Sequence, residues 1–562
     1  MAEFDIPLLK SAIRQFLPLG RSGLLPSLHA AQNIYGWIPR EVASEIASEL
    51  KIPLADLHGV IEFYNLFYNK PVGKKIVRVC TDPVCALKGS DQILKHFCAA
   101  NQTNPGQTNF DKSITIEHST CLGLCDLAPA ATINNMAATN LPQTGEPDTL
   151  SMPVSQVYGS HNLLTRHCAG NKSTTLIEYG TYAALQRALL MRPDAVINEV
   201  KVSGLVGRGG AAFPTGVKLE GAYTAEGTQK YIICNADESE PGTFKDRILL
   251  AYDPHLIIEG MCIAAHAIGA NKGYIFLRGE YSYLLPGLEL ALSEAREAGY
   301  LNNKFDVEIR LGAGAYICGE ETALFEAIEG KRGLPRIKPP FPTTSGLFGA
   351  PTVINNVETL CNLPVIFEIG AEAYHKIGTE KSPGSKLFCL SGDIARPGLY
   401  EIPFGHTLRE LLHMAGGLIN GRSLQAVLLG GAAGTFATSA QLDIRLTFED
   451  LRKAGLSIGS GVVMVFDDTR DLRDTLKRLG QFFAHESCGK CYPCQLGTQR
   501  QKEILERIAD GKIEPGDTER LKDIGWTMTD ASLCGLGQTA AAAVISALDN
   551  FPHLFLADNS AN

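Results

Sequence analysis

Apolar residues recur at three-and-four spacing over the first seventy positions. Leu54, Leu57, Val60, Ile61 and Tyr64 would share one helix face, as would Val42, Ile46 and Leu50 on the segment before it. Pro39 and Pro53 suit first-turn positions. Residues 1–70 are therefore expected to form a helical bundle with no chemistry of its own. At Lys74-Lys-Ile-Val-Arg-Val-Cys80 the period drops to two, which predicts a strand. From 136 to 172, Thr, Asn, Pro, Ser and Gly surround isolated apolar residues, and this reads as the end of one domain followed by a connector. Helical and strand patterns then alternate to about 375, which predicts an α/β domain with a mainly parallel sheet. Tyr231-Ile-Ile-Cys234 and Tyr274-Ile-Phe-Leu277 are runs of buried-strand type, and Val307, Ile309 and Leu311 alternate along another strand. Leu387 to Tyr400 reads as a hairpin and Thr407 to Ala415 as a helix. Leu472, Leu476, Leu479, Phe482 and Phe483 mark an amphipathic helix, with further helices expected from Gln501 and Gln538.

The length of 562 residues allows roughly three to five domains. Apolar content of 45% and charged content of 20% are those of a globular chain. A net charge of −9 excludes the basic excess that nucleic acid demands. No apolar run reaches the roughly 18 residues of a membrane span, and no direct membrane insertion is expected. The first residues lack a basic n-region followed by an apolar stretch, so a cytoplasmic protein is expected.

Fifteen cysteines in a reducing compartment call for a role other than disulfides. Eight of them form two groups with metal-ligand spacing. Cys80 and Cys85 enclose four residues, and Cys121 and Cys125 enclose three. Four thiolates in two short loops hold either a tetrahedral zinc or an iron–sulfur cluster, although zinc ribbons usually keep two-residue gaps. Cys488, Cys491 and Cys494 sit at two-residue gaps, with Cys534 remote. That spacing is specific for a [4Fe-4S] cubane. The remaining seven read as small buried hydrophobes.

The chain's other chemistry begins at Gly204-Leu-Val-Gly-Arg-Gly-Gly-Ala-Ala-Phe-Pro-Thr-Gly-Val-Lys218, where five glycines fall in fifteen residues. Such a loop is either a set of turns or a cradle whose backbone N–H groups meet an anion, with Lys218 adding a point charge. Three more motifs follow: Asn235-Ala-Asp-Glu-Ser-Glu-Pro-Gly242, Gly312-Ala-Gly-Ala-Tyr-Ile-Cys-Gly-Glu-Glu321 and Lys338-Pro-Pro-Phe-Pro342. Alone, Asp237, Glu238 and Glu240 could be a solvated acidic turn, and Phe213 and Phe341 plain core. In this order, the four motifs resemble the flavin-binding subunit of the NADH-oxidising module of respiratory complex I. The first pair of cysteine loops and the helices before them resemble the thioredoxin-like [2Fe-2S] subunit of the same module. The chain thus looks like a fusion of both, as in the flavin subunit of cytoplasmic NAD-reducing hydrogenases. The β subunit of NAD-dependent, metal-containing formate dehydrogenases shares the fusion, and a fused complex I subunit is a third possibility. A zinc-bound scaffold without flavin is the rival from outside this class.

The resemblance implies a multidomain α/β and α architecture. It comprises a helical bundle (1–70), a thioredoxin-like [2Fe-2S] domain (71–160), a connector (161–180) and a Rossmann-like α/β domain for FMN and NAD(H) (181–379). A ubiquitin-like β-grasp spacer (380–465) and a helical bundle around [4Fe-4S] (466–562) complete it. It implies an NAD(H)-dependent diaphorase that exchanges hydride between NAD(H) and FMN and passes single electrons to a partner. Gly207, Arg208, Gly209, Gly210, Lys218, Asn235, Asp237, Glu238, Asn355 and Asn356 would surround FMN, with Tyr316, Gly319 and Glu320 lining its pocket. Glu240 would face the adenosine ribose, Phe213 and Phe341 the adenine and nicotinamide, and Glu321 the nicotinamide. Cys80, Cys85, Cys121 and Cys125 would bind [2Fe-2S], and Cys488, Cys491, Cys494 and Cys534 would bind [4Fe-4S]. Expected partners are a ferredoxin-like linking subunit and a catalytic hydrogenase or formate dehydrogenase subunit. Two positions depart from the family pattern: Ala212 stands for a glycine and Leu219 for a tryptophan.

Overall fold

The computed structural model describes residues 4–145, 147, 150–168 and 172–556. The first segment is helical as expected, with helices Ile6–Ile13, Leu24–Tyr35, Arg40–Leu50 and Leu54–Phe63 and a 3-10 stretch Arg14–Gly23. Val42, Ile46 and Leu50 are buried along one face, as are Leu57, Val60 and Ile61. Pro39 and Pro53 lie one position earlier than expected, as N-caps with extended ψ. At Tyr64 the chain turns extended, and Asn65 and Leu66 donate their N–H groups to Gly314 O and Ala313 O at 3.0 and 2.9 Å.

Lys75–Cys80 is the central strand of a five-stranded sheet. It runs parallel to Ile114–Ser119, with Cys80 opposite Ser119, so the two cysteine loops leave neighbouring strands at the same end. A four-stranded, all-parallel sheet follows, ordered Thr352–Asn356, Tyr231–Ala236, Lys272–Leu277 and Asp306–Leu311. Helices Pro254–Ile268 and Val357–Ile369 are buried along nearly their whole length, which explains their lack of a polar face. Among the described residues no single helix is long and apolar enough to cross a membrane.

The third sheet has six strands, ordered Thr435–Ala437, Leu424–Leu429, Val462–Asp467, Ser385–Gly392, Gly398–Pro403 and Val157–Gly159. The predicted hairpin is its Ser385–Gly392/Gly398–Pro403 pair. The sixth strand is a departure from expectation. Val157–Gly159 comes from the stretch read as domain end and connector, yet it pairs in parallel with Leu399, Tyr400 and Glu401. Three residues are too few to show a period of two. Leu472–Glu486 and Tyr492–Ala509 then pack together with Asp517–Ala531 and Ala542–Asn550 to close the chain.

Candidate functional site

The parallel strands Tyr231–Ala236 and Thr352–Asn356 bring Asn235 and Asn356 opposite each other in register near their C-terminal ends. Open α/β sheets bind ligands at that end, and a cavity of about 400 Å³ lies there. Ten residues named from sequence line it: Gly209, Gly210, Asn235, Asp237, Glu238 and Glu240, with Tyr316, Gly319, Glu320 and Asn356. Its size suits a cofactor-sized ligand.

Local bonds fix these residues. Asn235 Nδ2 donates to Gly319 O at 2.8 Å, tying two of the motifs together. The Glu238 carboxylate accepts from Asp246 N and Arg247 N at 2.8 and 2.9 Å, so it caps the helix Lys245–Tyr252 from a neighbouring loop. Glu320 caps its own helix, Glu321–Ile328, by accepting from Thr322 N and Ala323 N. Ser239 Oγ donates to Asp237 at 2.5 Å. Burial pushes the carboxyl groups of Asp237 and Glu240 up to about 7. Glu240 accepts from Tyr316 Oη at 2.6 Å and from Ala433 N at 2.9 Å.

The other seven sequence-named residues stand outside the lining. Gly207 N donates to Phe213 O at 2.9 Å and closes the glycine loop on itself. The Arg208 guanidinium is buried, donates to Tyr374 Oη and Pro383 O, and lies 4.7 Å from the Phe404 ring. It spans Tyr374 and Pro383, while its Nε and Nη1 have no hydrogen-bond partner among the described residues. Lys218 Nζ donates to Ile354 O at 2.9 Å and stands 3.9 Å from Glu321, while Lys338 Nζ lies 2.6 Å from Glu321. Burial lowers Lys218 below the ordinary lysine value, an effect that Glu321 opposes. Phe213 and Phe341 are 50% and 58% exposed, so neither is core. Asn355 is buried, and its Nδ2 has no hydrogen-bond partner among the described residues.

Several lining residues escaped the sequence reading. Lys245 and Asp246 follow the acidic motif by a few residues. Lys245 Nζ is fully buried between Asp246 (2.6 Å), Asn356 Oδ1 (3.0 Å) and Glu358 (3.2 Å). Burial opposes its charge, but Asp246 and Glu358 outweigh that and hold it above the ordinary lysine value. A Lys-Asp-Arg run beside apolar residues was the available signal. More unexpectedly, the third sheet reaches the cavity through Gly430, Ala433, Ser457, Gly459 and Ser460, with Thr243 Oγ1 and Ser460 Oγ 2.8 Å apart. The segment read as a spacer therefore forms a wall of the site.

The eight cysteines converge as two sets. Cys488, Cys491, Cys494 and Cys534 line one small cavity. Cys491 and Cys534 are N-caps of the helices Tyr492–Ala509 and Gly535–Thr539. Burial pushes Cys494 up to about 12 and Cys534 to about 11, so these thiols ionise only when a cationic core compensates. Ile317 and Leu536 line both this cavity and the larger one. Cys80, Cys85, Cys121 and Cys125 are all buried, with Cys121 Sγ 3.3 Å from Cys125 Sγ and accepting from Gly123 N at 3.4 Å. Each set offers four sulfurs and fits an iron–sulfur cluster. The large cavity fits FMN by its donors and its glycines. A Cβ on Gly210 would meet nothing closer than Gly459 C at 3.8 Å, so any side chain there would fill ligand space.

Four family models match stretches of the chain. Residues 10–151 match the thioredoxin-like [2Fe-2S] ferredoxin, and 200–365 match the Nuo51 FMN-binding domain. Residues 386–465 match the SLBB domain, and 474–558 the NADH-ubiquinone oxidoreductase-F iron-sulfur binding region. The chain is 46% identical over 397 residues to an NADH-quinone oxidoreductase subunit of Rhizobium meliloti, covering 69% of this chain and 94% of that protein. It is 36% identical over 561 residues to NAD-reducing hydrogenase HoxS subunit alpha of Cupriavidus necator, covering 95% and 92%. The crystal structure of an NAD+-reducing [NiFe]-hydrogenase in the air-oxidized state superposes with a TM-score of 0.86 at 37% identity, covering 95% of this chain and 93% of that one. The chain is thus an oxidoreductase subunit with sites for FMN, [2Fe-2S] and [4Fe-4S], and it belongs to the family of fused flavin and iron–sulfur subunits that includes HoxS subunit alpha.

Proposed function

We propose that this chain is the NAD(H)-exchanging subunit of a soluble, cytoplasmic NAD-reducing hydrogenase. The observation that carries the reading is the wall of Ile317 and Leu536 shared by the flavin cavity and the four-cysteine cavity. The candidate hydride site and the candidate single-electron site thereby have these two side chains in common. FMN, when bound, supplies the exchange between two-electron hydride chemistry and one-electron transfer.

The chain's own residues bind and orient. Gly209, Gly210 and Gly319 admit the cofactor close to the backbone, and Lys245 with Asn356 offers a buried cation and amide. Glu240 and Asp237 bring carboxyl groups that are neutral or charged near pH 7. Exposed Phe213 and Phe341 give aromatic faces to the dinucleotide's bases, next to Lys218, Lys338 and Glu321. No nucleophile or general base is required, because the reacting rings need only alignment. Exposed Tyr492, Leu496 and Trp526 lie on the two helices that follow Cys491 and suit a linking iron–sulfur subunit.

The test is to isolate the native complex anaerobically through a tag on this subunit and measure NAD+ reduction with hydrogen and, separately, with formate. Hydrogen-dependent activity alone is the expected result. Formate-dependent activity alone would overturn the hydrogenase assignment and leave the diaphorase standing. Failure of NADH to reduce a viologen dye, with FMN and iron absent, would overturn both.

A further inference from the structure

The loop between Cys121 and Cys125 is not held by its own domain alone. Two buried arginines of the flavin domain take its carbonyls. Arg247 Nε donates to Gly123 O at 2.8 Å. Arg278 Nη2 donates to Cys121 O, and its Nη1 donates to Glu238 O at 2.8 Å. One guanidinium thus bonds both a ligand residue of the [2Fe-2S] site and the acidic motif of the flavin cavity. Arg278 is only 3% exposed. Its counter-ion is Glu280, at 3.1 Å from Nε and 3.2 Å from Nη2.

Carboxyl groups also face the two cysteine loops. Asp82 accepts from Cys121 N at 2.8 Å, and Asp126 pairs with Arg247 at 3.2 Å. Glu486 accepts from Thr120 Oγ1 at 3.3 Å. A guanidinium is always charged in a protein.

Reduction adds one electron to a cluster whose thiolates already leave it negative, with no bond made or broken. A fixed positive charge beside a ligand's carbonyl favours the reduced form, and a fixed negative charge disfavours it. We propose that the Arg278–Glu280 pair sets the reduction potential of the [2Fe-2S] cluster, Arg278 raising it and Glu280 lowering it. The pair thereby fixes how readily that cluster takes an electron from the neighbouring flavin site. Both residues act through the loop and are positioning residues. The proposal rests on the cluster assignment and not on the identity of the partner subunits.

The full-length holoprotein, in its native complex, is titrated anaerobically with dithionite and mediators while the EPR signal of the reduced [2Fe-2S] cluster is followed. Arg278→Gln is expected to lower the midpoint by at least a tenfold change in the one-electron equilibrium, about 59 mV. Glu280→Gln is expected to raise it, and Arg278→Lys, which keeps the charge, to stay closer to wild type than Arg278→Gln. The cubane signal and FMN content are expected to stay constant. Shifts of the same sign in the two neutral variants, or none, would overturn the proposal. If Arg278→Gln does not retain the cluster, Glu280→Gln decides: a raised midpoint supports the proposal, and an unmoved or lowered one ends it.

Discussion

Ala212 carries the glycine loop through φ +51, in the left-handed region. A Cβ is strained there. Ala212→Gly is expected to stabilise the protein by about 1 kcal/mol, read as a rise in the midpoint of thermal unfolding. Glu240 offers a second test. Burial raises its carboxyl from 4.5 to about 7, so the folded state holds a proton that the unfolded chain has lost across that window. Its contribution is fully present below about 4.5 and is lost as pH rises through about 7. Flavin-free protein should therefore lose stability with rising pH more steeply than Glu240→Gln in a series of unfolding curves. Equal slopes would remove Glu240 as the cause. Single residues differed in how far the sequence betrayed them. The cysteines were legible because ligand spacing is local. Arg208 was not, because its partners Tyr374 and Pro383 lie more than 160 positions away and nothing local marks those contacts.

Elements show the same contrast. Two of the four parallel strands were legible from short apolar runs and a third from alternation, and the amphipathic helix from its one-sided Leu and Phe residues, whereas Thr352–Asn356 carried no such signal. The loop 430–434 was not, because a glycine pair at a strand end looks like an ordinary turn until its neighbour is known. That neighbour is Glu240: a Cβ on Gly431 would stand 2.5 Å from Glu240 Oε1 and 2.9 Å from Pro241 O, at φ +86. Gly431→Ala should cost about 1–3 kcal/mol and move the loop off the cavity. Weakened FMN binding in a flavin fluorescence titration is the expected sign, and unchanged binding would return this loop to the role of spacer.

Across the whole molecule, the thioredoxin-like and flavin parts meet through buried polar groups as well as packing. Arg247 joins Gly123 O, Asp126 and Ser155 Oγ at once. Arg247→Met would strand Asp126 in the interior and is expected to cost about 3–5 kcal/mol in chemical unfolding. Arg247→Met/Asp126→Asn should recover part of that loss. The strand Val157–Gly159 has a wider consequence. It lies beside Gly398–Pro403 at the border of the six-stranded sheet. Severed from the N-terminal half, that border would present unpaired amides and carbonyls as a template for other chains. The join between the thioredoxin-like and flavin parts is thus itself a safeguard against self-association. A split version of this protein should need a replacement strand, a cap or added charge at Gly398–Pro403 to remain dispersed.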